Sequence, residues 1–281
     1  MKKVHCKELI TVVGVNVKLA NCVCRCHSLS PHYFYAARRT LDFGRTYVVR
    51  PKGKHQATIV WLHGLGDNGN SWSSLLETLP LPNGNSDCLR SFSDTVSGGF
   101  DVSDLSENAT DDIEGLDVSA TYVASLLANE PANRHCCGVP AVIVLIKLGV
   151  GGFSMGAAAS LYSATCFARG KYENGNQFSV NLSAVVGLSG WLPCARTLSN
   201  KLEGIGEAAG RAASLPIMLC HGKGDDVVAY KFGEKSAEKL SSVGFRDVTF
   251  KSYSTLGHYT IPEEMDELCA WLTSKLGLEG K

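Results

Sequence analysis

The sequence predicts an α/β fold with a mostly parallel central sheet flanked by helices, and three observations carry this. From about residue 41 onward, short β-rich apolar runs alternate with longer amphipathic ones. A Gly-x-Ser-x-Gly run, Gly152-Phe153-Ser154-Met155-Gly156, stands between an apolar run, Ala141 to Val150, and a small-residue helical run, Ala157 to Leu161. At 281 residues the chain is long enough to bury a sizeable core.

Taken in order, Thr46 to Val49 and Thr58 to Leu62 read as strands, parted by the turn-like Pro51-Lys52-Gly53-Lys54. Ser71 to Leu79 and Val118 to Leu127 read as helices. The strand and helix around Ser154 follow, then strands over Ala184 to Leu188, Pro216 to Cys220 and Val248 to Tyr253. Lys231 to Leu240 fits a helix between the last two strands. The C-terminal helix is the best signalled. Thr260 and Glu263 form a capping-box pattern, Pro262 falls in the first turn, and Ile261, Met265, Leu268, Leu272 and Leu276 share a face.

Bulk properties narrow the function. Lys plus Arg equals Asp plus Glu at 27 each, which gives no electrostatic footprint for nucleic acid. No apolar stretch reaches the length of a transmembrane helix. The 11 cysteines are scattered through expected strands and helices, as in a reduced cytoplasmic protein. Cys22, Cys24, Cys26 and His27 cluster, but no second Cys-x-x-Cys pair completes a zinc site, so no metal or other cofactor is expected. Residues 1–40 differ from the rest: seven Lys and Arg stand against the single acid Glu8. Their apolar run, Leu9 to Val17, is cut short of a signal sequence by Asn16 and Lys18. A poorly ordered extension is expected there.

The Ser154 pentapeptide reads as a nucleophile elbow. A strand must turn sharply into a helix, and glycines permit the close approach of both. The turn lifts the hydroxyl clear, and the helix N-terminus favours negative charge beside it. A serine hydroxyl is a poor nucleophile and needs a histidine base, which needs a carboxylate to fix its tautomer. For such an elbow the chain order is serine, acid, histidine. Of eight histidines only His221 and His258 follow Ser154. His221 ends an apolar strand ahead of the acid candidates and reads as structural. His258, between the last strand and the last helix, is the base. The acid belongs to the loop His221-Gly222-Lys223-Gly224-Asp225-Asp226, and spacing leaves both aspartates open. The oxyanion hole needs two backbone N–H groups. Met155 supplies one by following the nucleophile, and the loop His63-Gly64-Leu65-Gly66-Asp67 is placed to supply the other.

Together these residues resemble the acyl-protein thioesterase and carboxylesterase family of α/β-hydrolases. The carrying motifs are HGLGD at 63–67, GFSMG at 152–156, LSGWLP at 188–193, HGKGDDVV at 221–228 and GHYTIPEE at 257–264. The resemblance spans about residues 41–278 and implies an α/β-hydrolase domain over 41–281. It selects Asp225 over Asp226, makes Ser154 the nucleophile and His258 the base, and gives the oxyanion hole to the amides of Leu65 and Met155. It implies hydrolysis of long-chain acyl thioesters on proteins, or of esters such as lysophospholipids, with Trp191 and Leu192 lining the acyl groove.

Two departures qualify the resemblance. Residues 81–97, LPNGNSDCLRSFSDTVS, lack an apolar run where the family carries a strand, so a sheet missing one strand, or repaired by a segment from elsewhere in the chain, is expected. Residues 133–147 look like an insertion, and Ala229 stands where the family has proline. The leading expectation is a cofactor-free serine hydrolase acting on acylated proteins or lipid esters. The rivals are a hydrolase-like binding protein with impaired catalysis and a general short-chain carboxylesterase.

Overall fold

The computed structural model describes residues 43, 46–49, 55–79, 89–90, 99–106, 109–130, 146–202 and 206–278. The N-terminal extension with its Cys22, Cys24, Cys26 and His27 cluster lies outside these residues. So do most of the segment 81–97 and nearly all of the insertion at 133–147.

Six strands form one sheet in the order β2-β1-β3-β4-β5-β6, with every neighbouring pair parallel. They are β1 (Ala57–Leu62), β2 (Leu89–Arg90), β3 (Lys147–Phe153), β4 (Leu182–Leu188), β5 (Ile217–Gly222) and β6 (Val248–Tyr253). Between them lie α1 (Gly69–Glu77), α2 (Ile113–Ala128), α3 (Met155–Arg169), α4 (Ala195–Leu202), α5 (Gly206–Ser214) and α6 (Tyr230–Ser242), with α7 (Pro262–Leu276) last.

The strand period of two sorts side chains onto two cores. Val60 and Leu62 of β1, Val185 of β4 and Ile217 and Leu219 of β5 face the core shared with α2, α3, α5 and α6. Ile59 and Trp61, Val186 and Leu188, and Met218 and Cys220 face the core shared with α1 and α7. Each large apolar side chain fully buried in this way contributes roughly 1.5–3 kcal/mol. Helix α3 is buried along its whole length, and its Ala157-Ala158-Ala159 run lets it sit close to the sheet.

Three expectations need correction. Thr46 to Val49 is not a strand: Val49 is buried and Tyr47 packs on the second core, but no described strand offers a ladder. β-branched residues suit extended chain, yet a strand exists only where a partner pairs with it. The gap expected at 81–97 is partly filled, because Leu89 and Arg90 pair with Ile59 and Val60 of β1. The described ladder is two residues long, as the turn-rich composition around it allows.

The capping box does not form. Pro262 takes the first helical position, so Ile261 is the N-cap and Thr260 lies one residue too early to reach the exposed amides. β3 begins at Lys147, and the start of the apolar run from Ala141 lies outside the described residues. Helices α4 and α5 were not anticipated at all. They bury only Leu198 and Leu202, and Ala208 and Ala212, and two such contacts each leave a faint pattern.

Candidate active site

Parallel pairing sends the carboxyl ends of all the strands to one edge, where loops from β1, β3, β5 and β6 meet. Ser154 follows β3 with φ 56° and ψ −119°, in the left-handed half of the map that non-glycine residues rarely enter. The contacts around it show why the turn is so tight. A Cβ on Gly156 would lie 2.1 Å from the Leu62 carbonyl oxygen, and one on Gly152 would lie 2.4 Å from the Gly156 backbone. The elbow glycines therefore let α3 start directly against β1. Although Ser154 is the N-cap of α3, its hydroxyl makes no capping bond.

That hydroxyl instead lies 3.0 Å from His258 Nε2, and His258 Nδ1 lies 2.8 Å from Asp225 Oδ2. Since a carboxylate only accepts, Nδ1 carries the proton and Nε2 is left to accept from serine. Phe153 packs beside the imidazole, with ring centroids 4.7 Å apart. Asp225 has a fully buried carboxylate whose Oδ1 accepts from the N–H groups of Val227 at 3.0 Å and Val228 at 2.8 Å. Two backbone donors and one imidazole N–H thus satisfy a charge that burial alone would penalise. Asp226 is exposed, as the solvated alternative should be.

His221 lies beneath this loop. Its Nε2 donates to the Val228 carbonyl oxygen at 2.7 Å, and Asp225 Oδ2 is 3.4 Å from the same nitrogen. Burial pushes its pKa down, which leaves the ring neutral with its proton on Nε2. The ring exists in this place because position 233 is glycine: a Cβ there would lie 2.3 Å from His221 Nδ1.

The loop after β1 passes against the nucleophile, so close that a Cβ on Gly64 would sit 3.0 Å from Ser154 Cβ. His63 Nδ1 donates to the Gly64 carbonyl oxygen at 2.7 Å, and the Asp67 N–H donates to the same oxygen at 3.3 Å. A planar trans peptide then turns the Leu65 N–H the opposite way. Met155 is the first residue of α3, and its N–H has no acceptor within the helix. The Leu65 side chain is exposed while Met155 is buried.

The loop after β4 runs beside the elbow, where a Cβ on Gly190 would lie 3.0 Å from the Ser154 carbonyl oxygen. Ser189 and Cys194 both have positive φ. Trp191 and Leu192 wall a cavity of about 530 Å³ with Leu105, Phe232 and the stems of Lys235 and Lys239. Leu192 is pinned by its N–H, which donates to Ser236 Oγ at 2.8 Å. Neither Ser154 nor His258 lines this cavity. A second cavity, of about 270 Å³, is walled by His258, Phe153, Trp72, Leu75 and Asp67.

Six of the seven site residues expected from the sequence therefore lie on the loops at this edge or on the β4 loop beside them, and the seventh, Met155, opens α3. Sequence reasoning missed the supporting roles of His63 and Ser236. His63 was visible within the HGLGD run, whereas Ser236 acts across 44 residues of chain and left no local signal.

The comparisons agree with this architecture. A family model described as phospholipase/carboxylesterase matches residues 44–276. Acyl-protein thioesterase 1 of Gibberella zeae is 30% identical over 243 residues, covering 79% of this chain and 92% of the relative. Its Aspergillus fumigatus counterpart is 32% identical over 243 residues, covering 80% and 90%. The crystal structure of Zea mays acyl-protein thioesterase 2 has 60% identity and a TM-score of 0.75, covering 84% of this chain and all of that one. Arabidopsis thaliana SOBER1 shares the fold, with a TM-score of 0.60 at 21% identity over 79% of this chain and 99% of its own. With its elbow, its parallel sheet and a match over residues 44–276, this chain belongs to the phospholipase/carboxylesterase family of α/β-hydrolases.

Proposed function

We propose that this chain hydrolyses acyl thioesters of protein cysteines through an acyl-serine intermediate, with Ser154 as nucleophile, His258 as base and Asp225 as the acid that orients it. One observation carries the reading: His258 bridges Ser154 Oγ at 3.0 Å and Asp225 Oδ2 at 2.8 Å. His258 Nε2 takes the hydroxyl proton as Oγ attacks the carbonyl carbon. The Leu65 and Met155 amides hold the oxyanion. The tetrahedral intermediate collapses, the C–S bond breaks, and His258 returns the proton to the leaving thiol. Water then enters by the same route and frees the fatty acid.

The acyl chain occupies the cavity beside Trp191 and Leu192, whose loop starts against the elbow. The thioester preference rests on the relatives named acyl-protein thioesterase, and an oxoester would pass through the same steps. No described helix is long and apolar enough to cross a membrane. The scatter of cysteines through the elements favours the cytoplasm as the place of action. Residues 41–281 make up the catalytic unit in this reading, and no cofactor takes part.

Purified protein given a palmitoyl-thioester peptide should release free thiol, and a fluorophosphonate should label Ser154 in proportion to the activity lost. Absence of both turnover and labelling would favour the impaired binding protein. Turnover of acetyl esters alone would favour the short-chain carboxylesterase.

A further inference from the structure

An acyl-transfer centre needs two exits, one for the acyl chain and one for the group that leaves with the proton. The two cavities beside the elbow differ in their chemistry. The larger one, about 530 Å³, carries Trp191, Leu192 and Phe232 with charges of both signs at its walls, Arg196, Lys235 and Lys239 beside Asp104 and Asp111. The smaller one, about 270 Å³, is the one that His258 walls. Because His258 protonates the leaving atom, the leaving group departs within hydrogen-bond reach of that imidazole. The smaller cavity is therefore the natural seat for whatever flanks the leaving sulfur.

Asp67 is the acid among its lining residues, and no Lys or Arg lines it among the described residues. Its carboxylate is fixed, not free to swing: Oδ1 accepts from the Asn68 N–H at 2.8 Å and Oδ2 from Trp72 Nε1 at 2.5 Å. The N-terminus of α1 favours a negative charge there but supplies no cation. No ion pair involves Asp67 among the described residues. Trp72 turns its N–H edge to the charge, while Tyr259 adds to the lining an aromatic ring whose face can stabilise a cation.

We propose that this cavity is a leaving-group subsite selecting a basic side chain next to the acylated cysteine. The inference rests on the thioesterase reading above and adds the substrate feature that the reading leaves open. An ammonium or guanidinium group seated here meets a partly buried carboxylate and an aromatic wall. An acidic neighbour meets repulsion instead, so the contrast between the two exceeds either effect alone.

The test uses three acyl-thioester peptides, identical except for Lys, Gln or Glu beside the acylated cysteine. The full-length chain should turn over the Lys peptide roughly 10-fold better in kcat/KM than the Glu peptide, with the ratio shrinking as salt rises. Asp67→Asn keeps a side-chain acceptor for Trp72, and should bring that ratio close to one. Ser71→Lys, on the exposed face of α1 at the cavity wall, should invert the preference. If Gln-peptide turnover is present but the Lys-to-Glu ratio is near one, or survives in both variants, the subsite is wrong and the thioesterase reading stands. If none of the three peptides is cleaved, the thioesterase reading itself falls.

Discussion

His63 Nδ1 and the carbonyl oxygen of Gly64 lie 2.7 Å apart, and this short contact sets the direction of the amide that follows. Because the carbonyl only accepts, Nδ1 bears the proton, and Nε2 is buried without a hydrogen-bond partner among the described residues. The arrangement sacrifices one buried nitrogen to hold one peptide plane. His63→Phe should therefore lower kcat by about 10–100-fold with little change in KM, because the oxyanion amide acts in the transition state. Steady-state kinetics on an acyl thioester check this; a rise in KM at unchanged kcat would assign His63 to substrate binding instead.

The acid loop makes an asymmetric prediction. Asp225 has a buried carboxylate held by three donors, whereas the adjacent Asp226 is exposed. Asp225→Asn should reduce kcat by about 10⁴, the loss the handling of the wrong imidazole tautomer produces in a serine protease. Asp226→Asn should stay within about twofold of the parent. Equal losses would mean that the loop, and not one carboxylate, orients His258.

Chain-length preference should depend on the β4 loop. Trp191 is half-buried, stacks edge-on to Phe100 at 6.4 Å and walls the larger cavity. Trp191→Ala should raise KM for palmitoyl thioesters by roughly 10-fold while acetyl thioesters change little, in keeping with about 0.8 kcal/mol per buried methylene. A uniform effect across chain lengths would place the acyl chain elsewhere.

Stability should fall as pH rises, through Glu264. This residue of α7 is fully buried, and burial pushes its carboxyl up to about 8 from the usual 4.5. The nearby Ile261 N–H offsets this only in part, and neither carboxyl oxygen makes a hydrogen bond of good geometry among the described residues. Between 4.5 and about 8 the folded state holds a proton that the unfolded state has released. Stability from this group is thus complete below the unfolded value and is lost progressively until pH passes the folded one. Melting curves at about pH 5 and about pH 8.5 should show a drop in Tm that Glu264→Gln reduces. An unchanged pH slope in that variant would remove Glu264 as its source.

Much of the fold was legible because the signals were local. The runs Thr58 to Leu62, Pro216 to Cys220 and Val248 to Tyr253 are strands within a residue or two of expectation. The elements that escaped depend on distant partners. Thr46 to Val49 has strand-forming residues and no ladder among the described residues, while Leu89–Arg90 has turn-rich flanks and gains one from β1. The candidate site divides in the same way. Chain order and the elbow pointed to Ser154 and His258, and the family pattern separated Asp225 from Asp226. The clearance that Gly233 gives His221, and the bond from Leu192 to Ser236, arise only when α6 folds back onto the loops.

The central claim is that the acyl group passes through Ser154, 3.0 Å from the imidazole that activates it. Rapid quenching of the enzyme with a palmitoyl thioester, followed by mass spectrometry of its peptides, tests this most directly. The acyl mass should appear on the peptide containing Ser154 and vanish in Ser154→Ala, whose turnover should fall on the order of 10⁶. Acylation at another residue, or a Ser154→Ala enzyme within roughly 10-fold of the parent, would contradict the account.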